Sequence, residues 1–486
     1  MKKIFALLFI LLLFSACKKK LEDLNQNVKD PTTVTGESLF TGAQKNLFDQ
    51  MVSSNVNYNI FRLIDQYWTE TTYTDESNYD LTTRTIPDNH WDVLYRDVLK
   101  DLKESAKIIN STTYIEDVSP KVKQNRLAIV EVMDIYTWSV LVETFGNVPY
   151  SEALDIDKPL PKYDDGLTIY KDLIARLNVA IANMDPAYGS MGDADNMYQG
   201  DVAEWLKFAN SLKLRMGLLI ADVPGEGTFA QTTVEQAATG VIASNADNAR
   251  LVYLSAQPNT NPIYNDLVAS GRHDFVPTSV IVDAMNTLND PRSPFYFTLV
   301  DTASSGPPAL VYYGGEYGAS NDFTKYSHVS DKIQEPTFEG LIFDYAETEF
   351  LLAEAAERGY AVGGSAASHY DKAIEASILY WGGTSTDVAA YLAQPSVAYA
   401  TAAGTYKQKI GTQMWIALYN RGFEAWTEWR KFDFPALVAP VDALTAIPVR
   451  YTYPIEEQTL NGANRTAAAA AIGGDEVTTK LFWDKF

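Results

Sequence analysis

The chain is poor in cysteine and in histidine. Cys17 is the only cysteine in 486 residues. With no internal partner it forms no disulfide within the chain, and thiolate metal sites are excluded. The four histidines are His90, His273, His328 and His369, and none lies four residues from another. The H-E-x-x-H zinc arrangement is therefore absent. No G-x-S-x-G nucleophile elbow and no G-x-x-x-x-G-K-[ST] phosphate loop occurs. Positive charge is scarce as well: 39 Lys and Arg stand against 62 Asp and Glu, a net charge of −23. Phosphate recognition rests on Lys and Arg clusters, so this balance argues against a nucleic-acid partner. The one basic cluster, Lys18 to Lys20, reads as a solvated tether. Long apolar runs are missing beyond Ile4 to Phe14, and those 11 residues fall short of the roughly 20 a membrane-spanning helix needs.

That single run has a meaning of its own. Lys2 and Lys3 precede it, and Ser15, Ala16 and Cys17 follow it. Charge, a short apolar stretch and small residues form the order of a secretory leader. The cysteine at its end reads as a lipobox, with a chance thiol in a leader as the alternative. Phe14 stands where such boxes usually carry Leu. Acylation at Cys17 would supply a stable anchor, since more than one chain holds a membrane firmly. Loss of residues 1–16 removes two lysines and takes the charge from −23 to −25. The expected organisation is a leader over 1–16, a lipidated tether over 17–35 and one helical domain over 36–486. Loop insertions are expected near 71–92, 223–277, 300–340 and 383–405.

Helical period dominates the remainder. Residues 123–145 are apolar on almost every face, which predicts a buried helix ending at Gly146. Tyr170, Leu173, Ile174, Leu177 and Ile181 form one stripe over 167–184, and Trp205, Phe208, Leu212, Met216 and Leu219 another over 203–220. Helices are predicted again over 343–357 and 366–381, joined by the Gly359–Ser365 turn as an antiparallel hairpin. A further one is predicted over 411–430. The fold class is mainly α: a tetratricopeptide-like scaffold of helical pairs, with long loop-rich decorations and a few short strands, one near Leu310 to Tyr313. The segments 223–235, 255–277 and 383–405 read as irregular.

Aromatics are plentiful, with 29 Tyr, 21 Phe and 9 Trp. In the loops they stand beside polar side chains, which suits a ligand that stacks and hydrogen-bonds. One candidate cluster is Tyr67, Trp68, Tyr73, Tyr79 and Trp91, interleaved with Asp75, Glu76, Asn78 and Asp80. A second is Tyr312, Tyr313, Tyr317 and Tyr326. Each has a competing reading as core, and for the helical Trp205, Trp381, Trp415 and Trp426 core is the better one. Carboxylates are numerous enough that a paired-carboxylate hydrolase stays open. Glu347, Glu349 and Glu354 are its best candidates. Their better reading is structural, as is that of Glu428 with Arg421 and Arg430. Asp193, Asp195 and Asn196 make an oxygen-rich turn, read as a solvated loop ahead of a calcium site, which needs six to eight oxygens. No metal or cofactor is called for.

Several blocks resemble the SusD/RagB lipoproteins, in particular the second SusD-like branch of nutrient-binding outer-membrane proteins. Leu21 to Asn25 followed by Asp30-Pro31-Thr32 is similar to the family's opening. Phe145 to Tyr150 resembles its FGDVPY motif, with Asn147 in place of Asp. Tyr345 to Ala355 is close to its most recognisable helix. Gln413 to Arg430, and Arg450, Tyr453, Pro454 and the Asn461 region, resemble its late blocks. The resemblance implies a helical scaffold, a lipid anchor on the outer membrane facing the cell exterior, and an oligosaccharide or peptide ligand. It also implies a SusC-like TonB-dependent barrel as partner, and a binding protein rather than an enzyme. A purely structural lid over the barrel is the third possibility.

Overall fold

The computed structural model describes residues 34–114, 119–303 and 308–486. Cys17, the leader and most of the tether lie outside the described residues. Helices carry the architecture. They are α1 (Gly36–Val52), α2 (Ile86–Asp92), α3 (Lys100–Ser111), α4 (Pro120–Phe145), α5 (Gly166–Asn183), α6 (Val202–Leu219) and α7 (Gly227–Ala237). After α8 (Ser279–Thr287) come α9 (Tyr345–Glu357), α10 (Ala366–Trp381), α11 (Ser385–Leu392), α12 (Tyr406–Ala417), α13 (Gly422–Phe432), α14 (Ile455–Leu460) and α15 (Gly462–Ala471). A π-helical stretch, Val93–Leu99, joins α2 to α3. Neighbours in sequence pack as pairs: α4 with α5, α6 with α7, α9 with α10, α12 with α13. The mainly α scaffold is as the periodicity predicts. Among the described residues no helix is long and apolar enough to cross a membrane.

Local chemistry sets the helix ends. Ser119 caps α4 and Pro120 opens it, where a missing N–H costs nothing. Asp165, Asp201, Asp344 and Ser365 cap α5, α6, α9 and α10 through their side chains. At the far end of α4 the chain turns at Gly146, φ +85°, where a Cβ would meet Leu481 at 2.8 Å. The helices bury a charged centre. Glu347 on α9 takes Arg215 of α6 at 3.1 Å and Arg421 at 2.5 Å, and Arg421 also faces Asp344 at 3.3 Å. Glu354 pairs with Lys431 at 2.7 Å, and Glu349 with His369 at 2.5 Å. Buried charges persist only when paired, so the pairing of these carboxylates supports a structural role.

Four expectations need correction. Residues 411–430 are not one helix: α12 stops at Ala417 and α13 restarts at Gly422. The break is tertiary, since Arg421 leaves helical geometry to reach Glu347 and Asp344. The segment 223–235 is not irregular, because Ala230, Val234 and Ala237 give α7 a buried face against α6. Within 383–405 a capping box of Thr384 and Asp387 starts α11. The 71–92 insertion likewise ends in α2.

Strands are short and occur in antiparallel pairs: β1 (Trp68–Glu70), β2 (Val148–Pro149), β3 (Tyr163–Asp164), β4 (Ala249–Leu251), β5 (Phe275–Pro277), β6 (Val300–Asp301), β7 (Leu310–Val311) and β8 (Gly340–Phe343). The pairings are β1 with β5, β2 with β3, β4 with β8 and β6 with β7. The strand expected near Leu310 is β7.

Candidate ligand-binding surface

Two loops far apart in sequence are brought to one place by β1 and β5. Trp68 to Glu70 pair with Pro277 to Phe275, and Thr71 extends the ladder through its N–H to Asp274 O at 2.8 Å. A third segment, 312–328, lies along the other edge. Asn321 N donates to Thr71 O at 3.0 Å, Gly318 N to Thr69 Oγ1 at 3.1 Å, and Asn78 Nδ2 to Gly318 O at 2.8 Å. Asn321 is the clasp. Its amide donates to Glu316 O and Ala319 O and accepts from Glu316 N at 2.9 Å. The segments that carry the two expected aromatic clusters, 68–79 and 312–328, are therefore packed against each other.

Backbone strain concentrates there. Eight non-glycine residues have positive φ among the described residues, and four of them, Gln66, Tyr73, Tyr79 and Thr85, fall in this one early segment. Such conformations cost of order 1–3 kcal/mol each and persist where the surroundings enforce them, often at binding sites. Tyr73, φ +56°, projects its ring with 75% of its surface exposed. In the 312–328 segment Tyr313 stacks on Tyr326 with centroids 5.3 Å apart and remains half exposed. His273, exposed just before β5, stacks on Phe323 at 4.3 Å, and Phe323 stacks on His328 at 3.7 Å. Flat faces are thus presented beside Asp75, Glu316 and Asp322, all exposed. Nearby cations are engaged: Arg272 pairs with Asp274 at 2.7 Å and Lys325 with Asp322 at 3.5 Å. An uncharged, hydroxyl-rich ligand matches stacking rings rimmed by acceptors. A cleft of about 330 Å³ adjoins this surface, lined by Gln66, Val280, Glu316, Tyr317 and the 436–442 loop.

Residues 27–454 match the SusD-like family described as "Starch-binding associating with outer membrane". The chain belongs to this SusD-like family. Among solved structures, a chitin-binding protein is 27% identical with a TM-score of 0.79, and the match covers 93% of this chain and 100% of that one. A SusD homologue from Bacteroides uniformis is also 27% identical, with a TM-score of 0.76 and coverage of 92% and 99%. A chitin-binding SusD homologue from Flavobacterium johnsoniae, 23% identical with a TM-score of 0.75 and coverage of 92% and 98%, shares the fold. No curated protein matches the chain.

The candidate residues of this SusD-like protein divide by burial. Trp68 is 1% exposed; its indole N–H donates to Tyr419 Oη at 2.8 Å and Arg62 covers its ring at 5.2 Å. Tyr67 is buried against Trp415. Tyr79 is buried and accepts from Gln66 Nε2 at 3.2 Å; its ring faces that of Tyr317 at 6.2 Å. Tyr317 donates to Leu63 O at 2.6 Å. Trp91 packs on Tyr95 and Phe145, at 4.7 and 5.0 Å. The faces of all four are already covered: Trp68, Tyr79 and Tyr317 pack within the two loops and their base, while Trp91 packs apart from them against Tyr95, Phe145 and Tyr163. Tyr73 and Tyr313 are open to ligand, and Tyr312 is half-buried beside them. Phe323, His273 and His328 carry no zinc-like spacing. The test that picked out the loop tyrosines, a ring in a polar loop, also fits Phe323.

The oxygen-rich turn is not a solvated loop at Asp195. That carboxylate is buried and accepts from Gln44 Nε2 at 2.9 Å, Trp205 Nε1 at 2.7 Å, and the amides of Met197 and Gly200 at 3.0 Å. Its lone pairs are spent on the fold, leaving none aimed at an ion.

Proposed function

We propose that this protein captures oligosaccharide at the outer membrane on the Tyr73, Tyr313–Tyr326 and His273–Phe323–His328 surface, and passes it to a TonB-dependent barrel. The observation that carries the reading is the convergence of the exposed Tyr73, Tyr313 and His273 rings, the last two backed by stacking on Tyr326 and Phe323, with acceptor side chains on one strained and clasped loop cluster. Family membership supports carbohydrate as the ligand class. A 27% identical chitin-binding relative makes chito-oligosaccharide the first ligand to try, and the family description makes malto-oligosaccharide the second. Cys17 is proposed as the acylated anchor, with residues 17–35 as a tether that holds the domain at the cell exterior.

Calorimetric titration of the purified chain with both oligosaccharides tests the ligand. Saturable binding to either, weakened by Tyr73→Ala and by Phe323→Ala, is expected. Binding that both variants leave untouched would move the site elsewhere. Isolation of the tagged protein from its native outer membrane tests the partner. A stoichiometric TonB-dependent barrel is expected, and recovery of the protein alone argues against delivery.

A further inference from the structure

Two acids sit together beneath the Tyr73 loop. Glu70 ends β1 and Glu76 lies at the far side of the turn; both are buried, and their carboxyls are within hydrogen-bonding reach. The backbone locks around them. Ser77 N donates to Glu70 Oε2 at 2.9 Å, and Glu70 N donates to Ser77 Oγ at 3.1 Å. Arg84 Nε pairs with Glu76 Oε1. One atom is left over: the buried Glu76 Oε2 has no donor among the described residues. An orphaned buried acceptor is costly, and two facing carboxylates do not both ionise cheaply. One proton on Glu70, donated to Glu76 Oε2, removes both costs.

We propose that Glu70 is a positioning residue that gives its carboxyl proton to Glu76 and so holds the Tyr73 loop in its ligand-ready form, making capture stronger toward acidic pH. The proposal rests on the reading of this surface as the glycan site.

The neighbouring groups agree with this. Arg84 faces Glu76. Asp274 on the β5 side is engaged by Arg272. Asp65, fully buried, is pushed well up by its own desolvation. Burial raises the Tyr79 and Tyr317 phenols as well, and Glu316 is exposed at the rim. Burial first, and the Glu76 contact second, push Glu70 up to about 9 from an ordinary 4.5. The closed loop then holds one proton more than the open loop between those two values. Its stability is complete below the ordinary value, declines as pH rises and levels off beyond about 9. Loop opening should rise about tenfold per pH unit inside that window.

Hydrogen exchange of the Ser77 to Asp80 amides in the full-length protein reads this directly, as protection corrected for intrinsic rate. Wild type should lose protection about tenfold per pH unit between about pH 5.5 and about pH 8.5. Glu70→Gln keeps a donor toward Glu76 and cannot ionise, so its protection should be flat, and Glu76→Gln should flatten the profile as well. A flat wild-type profile, or one identical in Glu70→Gln, overturns the proposal whether or not the second variant folds. Chito-oligosaccharide affinity, measured alongside, should follow protection. If no glycan binds at any pH, the site reading fails, while the exchange profile still decides the fate of the shared proton.

Discussion

At the residue scale, a ring in a loop has two fates, and exposure separates them. Tyr73 and Trp68 stand five positions apart in the same early segment. One is largely open and the other is sealed between Tyr419 and Arg62. Tyr73→Ala should leave unfolding within about 0.5 kcal/mol of wild type, and should weaken glycan binding by about 1 kcal/mol, roughly fivefold. Trp68→Ala removes a buried ring and a hydrogen-bond donor, and should cost about 3–5 kcal/mol of stability. Denaturant titration and calorimetry on the two variants check the pair. Equal losses of stability in both would show that the loop is core throughout. The sequence made the aromatic cluster legible but not its division, because burial of Tyr79 and Tyr317 depends on two loops more than two hundred residues apart closing over each other. Phe323 was within reach of the same criterion. His273 and His328 were not, since only their contact with Phe323 gives them a role.

At the element scale, long periodic helices were readable and their interruptions were not. The stripes over 167–184 and 203–220 appear as α5 and α6, because one buried face per helix leaves a period that needs no partner to detect. The break between α12 and α13 left no such mark. Trp415, Leu418, Gly422 and Trp426 keep helical spacing across it, and what ends α12 is a carboxylate on another helix. Helices α7 and α11 were masked by their Gly, Ser and Thr content, although Thr384 and Asp387 form a cap visible in the sequence. Gly422 marks the break physically. A Cβ there would stand 2.7 Å from Arg62 N and 3.0 Å from Phe61 C, both backbone atoms that cannot swing aside. Gly422→Ala should therefore cost about 1–3 kcal/mol through overpacking, and should do so although Ala is the better helix former. Unfolding at or above wild-type stability would mean that the Phe61–Arg62 turn yields, and that α13 does not depend on this close approach.

At the scale of the whole molecule, α1 and the late Tyr451 segment meet at a seam, and His90 lies in it. Its ring is fully buried. Gln50 of α1 donates to Nδ1 at 2.8 Å, and the rings of Phe61, Tyr451 and Phe145 surround it at 5.5, 5.8 and 6.1 Å. No carboxylate compensates a charge there, and burial pushes His90 down to about 3 from 6.5. The unfolded chain accepts a proton that the folded chain refuses, so stability falls as pH drops from about 6.5 toward about 3. Asp134 and Glu428 act in the opposite sense. Burial raises them from 3.8 to about 6 and from 4.5 to about 7, so their contributions decline as pH climbs between those values and have levelled off above neutrality. His90 therefore steepens the acid limb against the trend of these two acids. His90→Gln keeps a polar group beside Gln50 and removes the titration. The variant should be less stable than wild type at neutral pH through lost packing, yet should lose about 2 kcal/mol less between about pH 6.5 and about pH 5. Thermal unfolding across that range decides it. Parallel curves would place the acid sensitivity of the seam in its carboxylates, and converging curves would place it in this one imidazole, on which α1, α2 and the C-terminal Tyr451 segment all close.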